Sequence, residues 1–146
     1  MDFSTRLNCE QKTLLEILTD YEGLVKYLPR QLTEVKVLEK QDNQTTIETT
    51  IMFKTLIKKE IKQRIVIVEK EDKLEAKILD GHAKDTAISI SVNPQDSQTQ
   101  IDMKIDLKLS LKAKILSPII NREYKTLLTG ILTKMEIDAQ RVEVEK

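Results

Sequence analysis

The chain has 146 residues, in which 24 Lys plus Arg balance 24 Asp plus Glu. A chain of this length suits one domain, 1–146, and buries enough surface to do without metal or disulfide staples. Balanced charge supplies no global field to draw in DNA. Gly23, Gly81 and Gly130 lie far apart, which excludes the phosphate-cradling loops that crowd several glycines together. Phe3, Phe53, Tyr21, Tyr27 and Tyr124 are the only aromatics, too few for a base-stacking platform. Cys9 is the single cysteine and cannot form an internal bridge. Met1 leads into Asp2, Thr5 and Arg6 rather than an apolar export segment, so a reducing, cytoplasmic setting is expected. The longest aliphatic stretches, such as 65–68, fall far short of the roughly 20 residues of a membrane helix.

In chain order, residues 2–8 alternate through Phe3, Thr5 and Leu7 and predict a short first strand. A helix is expected from Asn8 or Cys9, with Leu14, Leu15, Ile17 and Leu18 on its apolar face. Asp20 interrupts the pattern, and Tyr21, Leu24, Val25 and Leu28 resume it as a second short helix that Pro29 stops. Strands then follow at 32–39, 45–54, 58–69, 73–79, 86–92 and 99–111, all rich in Val, Ile and Thr. Turns are expected at Gln41-Asp42-Asn43, Asp80-Gly81 and Asn93-Pro94. Short connections between successive strands predict an antiparallel meander.

The last strand carries the clearest signal. Ile101, Met103, Ile105, Leu107, Leu109 and Leu111 are apolar, while every even position from 100 to 112 is polar, the period of a strand with one wet face. Ser117 and Pro118 then read as the cap and first turn of a long helix, whose stripe is Ile120, Tyr124, Leu127, Leu128, Ile131 and Met135. The final residues, 142–146, are expected to fray. Parity places Ile47, Thr49, Ile51 and Phe53 on one side of their strand, and Ile61, Gln63, Ile65 and Ile67 on one side of the next. Leu74, Ala76 and Ile78, then Thr86, Ile88, Ile90 and Val92, extend the same apolar face. Only the terminal helix is long enough to cover it.

Strand, two small helices, six strands and a long C-terminal helix, in that order, resemble the START-like or helix-grip superfamily, which includes polyketide cyclases, coenzyme Q-binding proteins and pollen-allergen-like carriers. Leu18-Thr19-Asp20-Tyr21-Glu22 followed by Tyr27-Leu28-Pro29 is similar to the segment after the family's first helix, and Asp80-Gly81 before Ala87-Ile88-Ser89-Ile90 is similar to a family hairpin. The resemblance implies an α+β helix-grip fold, a curved antiparallel sheet of about seven strands around a long C-terminal helix. It also implies binding of a hydrophobic molecule in a cavity between sheet and helix, and the leading reading is noncatalytic binding or transport of a small lipid, quinone or polyketide-like compound there. Candidate ligand-binding residues are Ile47, Thr49, Ile51, Phe53, Gln63, Ile65, Ile67, Thr86, Ile88, Ile90, Met103, Ile105, Leu107, Tyr124, Leu128, Ile131 and Met135. Thr49, Gln63, Thr86 and Tyr124 are the polar members able to fix a ligand's orientation, and each can equally satisfy a buried neighbour.

No cofactor is expected. His82, the only histidine, stands between Asp80 and Asp85, but a zinc site needs three or four convergent ligands, so a solvated turn is the plainer reading. Cys9 has no partner to activate it, and no catalytic residue is assigned. The basic run Lys54, Lys58, Lys59, Lys62 and Arg64, and the lysines Lys104, Lys108, Lys112 and Lys114, suit anionic headgroups or RNA, though charge on a wet sheet face ordinarily guards against aggregation. A cyclase or hydratase using Tyr124, Gln63 or Glu48, and a ribosome- or RNA-associated interaction module, are the alternatives. Gly130 in the last helix points to close packing, either against the sheet or beside a ligand.

Overall fold

A computed structural model describes residues 2–53 and 59–145. Lys54 and Lys58, and the side chains of Phe53, Lys59 and Lys112, lie outside the described residues. The elements are β1 (Asp2–Leu7), α1 (Gln11–Leu18), a 3-10 helix (Tyr21–Lys26), β2 (Leu32–Gln41), β3 (Gln44–Phe53), β4 (Lys59–Glu69), β5 (Lys73–Ile78), β6 (Ala87–Gln95), β7 (Gln98–Asp106), α2 (Leu111–Lys114) and α3 (Ser117–Glu145).

The seven strands form one antiparallel sheet in the order β1-β7-β6-β5-β4-β3-β2. Strands β2 to β7 are the expected meander, and β1 returns to pair with the far edge, Leu7 opposite Thr99. Register lines up the inward rows: Ile47 with Ile65 and Ile78, Ile67 with Ala76, Ile88 and Ile105, and Leu74 with Ile90 and Met103. Across them lies α3, whose Ile120, Tyr124, Leu127, Ile131 and Met135 are buried in the same apolar cluster. This is the α+β helix-grip arrangement the sequence order implies. Edge strand β2 is kinked by two register shifts, at Leu32/Glu34 and Val37/Glu39, which spoil it as a template for further pairing.

Four boundaries depart from the sequence reading, each for a local reason. The helix expected from Asn8 or Cys9 starts at Gln11, because residues 8–10 are committed elsewhere: the Asn8 and Glu10 amides donate to the Glu136 and Glu143 carboxylates of α3, both at 2.6 Å, and the Cys9 carbonyl accepts from the Thr99 hydroxyl at 2.7 Å. The same bonds hold the end of α3, which stays helical to Glu145 instead of fraying from Val142. Asn93-Pro94 is not a turn, since β6 continues to Gln95 and the chain reverses at Asp96, whose φ is 56°. The Val92 amide donates to Asp72 on the β5 side. Two residues on, the Pro94 nitrogen points to that same side, past the last β5 pairing at Lys73 and Ser91, so its missing N–H breaks no ladder bond.

The fourth correction concerns the strand expected to reach Leu111. β7 ends at Asp106, opposite Ala87 at the very start of β6, and beyond that point there is no strand left to pair with. Leu107 and Leu109 still turn toward the core, which preserves the alternation without the ladder. Leu111 instead opens α2 and is 83% exposed.

Candidate functional site

Aliphatic side chains build the interior between the concave sheet face and α3. Ile47, Ile51, Ile67, Met103, Ile105, Tyr124, Ile131 and Met135 are buried in one cluster, and Ile65, Ile88, Ile90, Leu107 and Leu128 pack against it while remaining half-buried. The structure therefore brings together every described apolar candidate read from parity, because alternation on a strand and the period on a helix each fix a face. Half-burial of Ile61, Ile65 and Ile90, inward positions whose cross-strand neighbours Ile51, Ile47, Ile78 and Met103 are buried, marks the less tightly covered part of this surface.

Polar groups inside are few and neutral. Among the described residues the buried polar side chains are six threonines and Gln63, with no buried Lys, Arg, His, Asp or Glu. Gln63 on β4 (3% exposed) accepts through its amide oxygen from the Tyr124 hydroxyl (7% exposed) at 3.4 Å, and its backbone carbonyl accepts from Thr49, its cross-strand partner, also at 3.4 Å. Both contacts are stretched beyond the usual 2.7–2.8 Å of an O–H···O bond. Burial holds the Tyr124 phenol above its ordinary value, the Gln63 contact opposing that shift, so it is a neutral donor at physiological pH.

Thr86 is spent on architecture. Its hydroxyl donates to the Lys108 carbonyl at 3.1 Å and accepts from the Lys108 amide at 3.0 Å, fastening residues 107–110 to the start of β6. Glu48 lies on the other face of β3 from Thr49, opposite Arg64, and does not share the interior with Tyr124. His82 is exposed, with its Nδ1 3.0 Å from the Ser110 hydroxyl, and Asp80 turns instead to the Arg64 amide and Nε, both at 2.8 Å, which hold its carboxyl below the usual range. Gly81, with φ of 83°, completes that turn in a conformation that side chains disfavour. Among the described residues no group of three or more His, Cys, Asp or Glu is placed to hold a metal ion.

Two anchors escaped the sequence reading. The Tyr27 hydroxyl donates to Asp138 of α3 and the Tyr21 hydroxyl to Glu69 of β4, each at 2.6 Å, tying the 3-10 helix to both layers. Their signal was a tyrosine, rather than an aliphatic residue, at a buried helical position. The two best-formed hollows among the described residues both lie elsewhere than between sheet and α3. One, of about 360 Å³, runs between α1 and the β4–β5 turn; the other, of about 470 Å³, lies on the outer sheet face over Val66, Val68 and Ala87.

The arrangement recurs in solved structures. A START superfamily protein from Mycobacterium smegmatis superposes with a TM-score of 0.74 at 10% identity, covering 97% of both chains. The fold is START-like. The Zhui aromatase/cyclase from Streptomyces sp. R1128 shares this helix-grip fold with a TM-score of 0.78 at 12% identity, covering 93% of this chain and 92% of its own, and a protein from Thermus thermophilus does so at 0.83 and 12%, covering 97% of each. No protein-family model matches the sequence, and no curated protein does. At such identities the helix-grip likeness speaks for the fold alone. No described helix is long and apolar enough to cross a membrane.

Proposed function

We propose that this chain binds a small hydrophobic molecule, of lipid, quinone or polyketide-like class, between the concave sheet face and α3, and acts as its carrier or sensor. The observation that carries this reading is the set of neutral polar groups, Thr49, Gln63 and Tyr124, held by stretched contacts inside an otherwise aliphatic interior. A ligand carbonyl or hydroxyl inserted there can replace two long hydrogen bonds with two of ordinary length, while its apolar body displaces side chains at Ile61, Ile65 and Leu128. Burying about 200 Å² of apolar ligand surface contributes on the order of 5 kcal/mol before association costs, and micromolar binding, about 8 kcal/mol net, calls for a larger buried area together with the polar contacts. A ligand that binds the folded chain alone raises its melting temperature. Thermal shift against menadione, palmitate and cholesterol, with native mass spectrometry of the gently purified protein, tests this: a quinone or lipid should stabilise the wild type and lose most of that effect in Gln63→Leu. A protein that copurifies with nothing and responds to none of the three refutes the reading.

A second reading, a cyclase-type enzyme in the same interior, is supported by the Tyr124 hydroxyl, a neutral donor beside the Gln63 amide. Turnover of a polyketide-like substrate that disappears in Tyr124→Phe while ligand binding survives would favour it over the carrier.

A further inference from the structure

The sequence from 107 to 122 contains Lys108, Lys112, Lys114 and Arg122 and no acidic residue, interleaved with eight aliphatic side chains. Most of those aliphatics are covered: Ala113 and Ile120 are buried in the core, Leu107, Leu109 and Leu116 pack half-buried against it, and Ile119 is half-buried. Leu111 and Ile115 do the opposite, at 83% and 85% exposure. Four residues apart, they share one face of the α2 turn, and Lys114 beside them is exposed. Single exposed leucines need no explanation. A pair of large aliphatics presented together, at the centre of a stretch with one sign of charge, calls for a surface that is both greasy and anionic.

We propose that α2 and the turn after it dock the protein onto an anionic lipid bilayer, with Leu111 and Ile115 inserted at the acyl boundary and Lys108, Lys114 and Arg122 against the headgroups. Charge complementarity selects this partner. Of the nearby acids, Asp85 is met by Lys77 at 3.8 Å and Asp80 by Arg64; Asp106, 3.7 Å from Lys108, and Glu123 are outnumbered by Lys108, Lys112, Lys114 and Arg122, so the local balance is positive although the whole chain is neutral. RNA would draw on the same cations, but its bases stack on aromatic rings, and residues 107–122 contain none; aliphatic insertion next to lysines is the chemistry of a membrane interface. Ser110 anchors the patch by donating its amide to the His82 carbonyl at 2.9 Å, which gives the inserting pair a fixed base. The surface stands apart from the interior, and the inference holds whether or not a ligand binds there.

Cosedimentation of the full chain with vesicles tests it, using pure phosphatidylcholine and phosphatidylcholine mixed with phosphatidylglycerol. Wild type should bind the mixed vesicles, ignore the neutral ones, and dissociate as salt is raised. Replacing Lys108 and Lys114 by Gln should weaken partitioning roughly 25-fold, about fivefold per charge, and the double variant Leu111→Ser, Ile115→Ser should weaken it at least tenfold at unchanged melting temperature. The lysine variant keeps the test decisive should the serine variant fold poorly. Equal binding to both vesicle types, no binding to either, variants that bind like wild type, or salt-sensitive binding to poly(U) without binding to vesicles would each overturn it.

Discussion

Tyr27 and Asp138 show how single residues hold the layers together. Asp138 receives the Tyr27 hydroxyl and the cations of Lys26 and Arg141, and these partners, the tyrosine foremost, keep its carboxyl below the ordinary range. A carboxyl lowered on folding contributes stability above its unfolded value, about pH 4, and loses it as pH falls through the folded value. Asp138→Asn should therefore flatten the acid limb of a melting-temperature profile. Tyr27→Phe removes one hydrogen bond to a charged acceptor and should cost about 1.5 kcal/mol in urea unfolding. Cys9, buried beneath Glu136 and Glu143, has its thiol pushed up to about 11 by burial first and by those two carboxylates second. Ellman's reagent should leave it unreacted in the native protein at pH 8 and label it at the rate of unfolding.

At the scale of elements, legibility in the sequence tracked how local the deciding interaction was. The α3 stripe and the β3–β4 rows could be read because side-chain direction repeats within one element. Where β7 ends could not, since Leu107 and Leu109 keep the alternation after the neighbouring strand has run out, and only pairing with β6 reveals the difference. Pro94 misled for the related reason that a proline's cost depends on which neighbour its nitrogen faces. Thr49, Gln63 and Tyr124 were each legible as inward polar groups, but their meeting depends on how α3 lies across the sheet, which no spacing in the chain encodes. Gly130 was readable as a close contact and not as to its partner: a Cβ there would sit 3.0 Å from the end of the Leu28 side chain. Alanine at 130 should gain helix propensity worth about 1 kcal/mol only when Leu28 is shortened, so Gly130→Ala should be near neutral alone and stabilising in a Leu28→Ala background, as a double-mutant cycle by denaturant melts will show.

For the molecule as a whole, one covering helix carries much of the burial. Met135 is fully buried under the sheet, and Met135→Ala should cost about 2–5 kcal/mol in equilibrium unfolding, against a typical total of about 5–15 kcal/mol for a domain. The strand order adds a constraint in time. Because the opening segment pairs, among the described residues, with the closing strand alone, Leu7 against Thr99, a ribosome releases β1 long before that partner exists for it to zip onto. Synthesis must run past Asp106 before that edge can close, and such distant pairings form slowly because chain closure precedes any reward. A fragment halted at Gln95 should accordingly remain without a cooperative melt, its first strand waiting for a mate that has not yet been made.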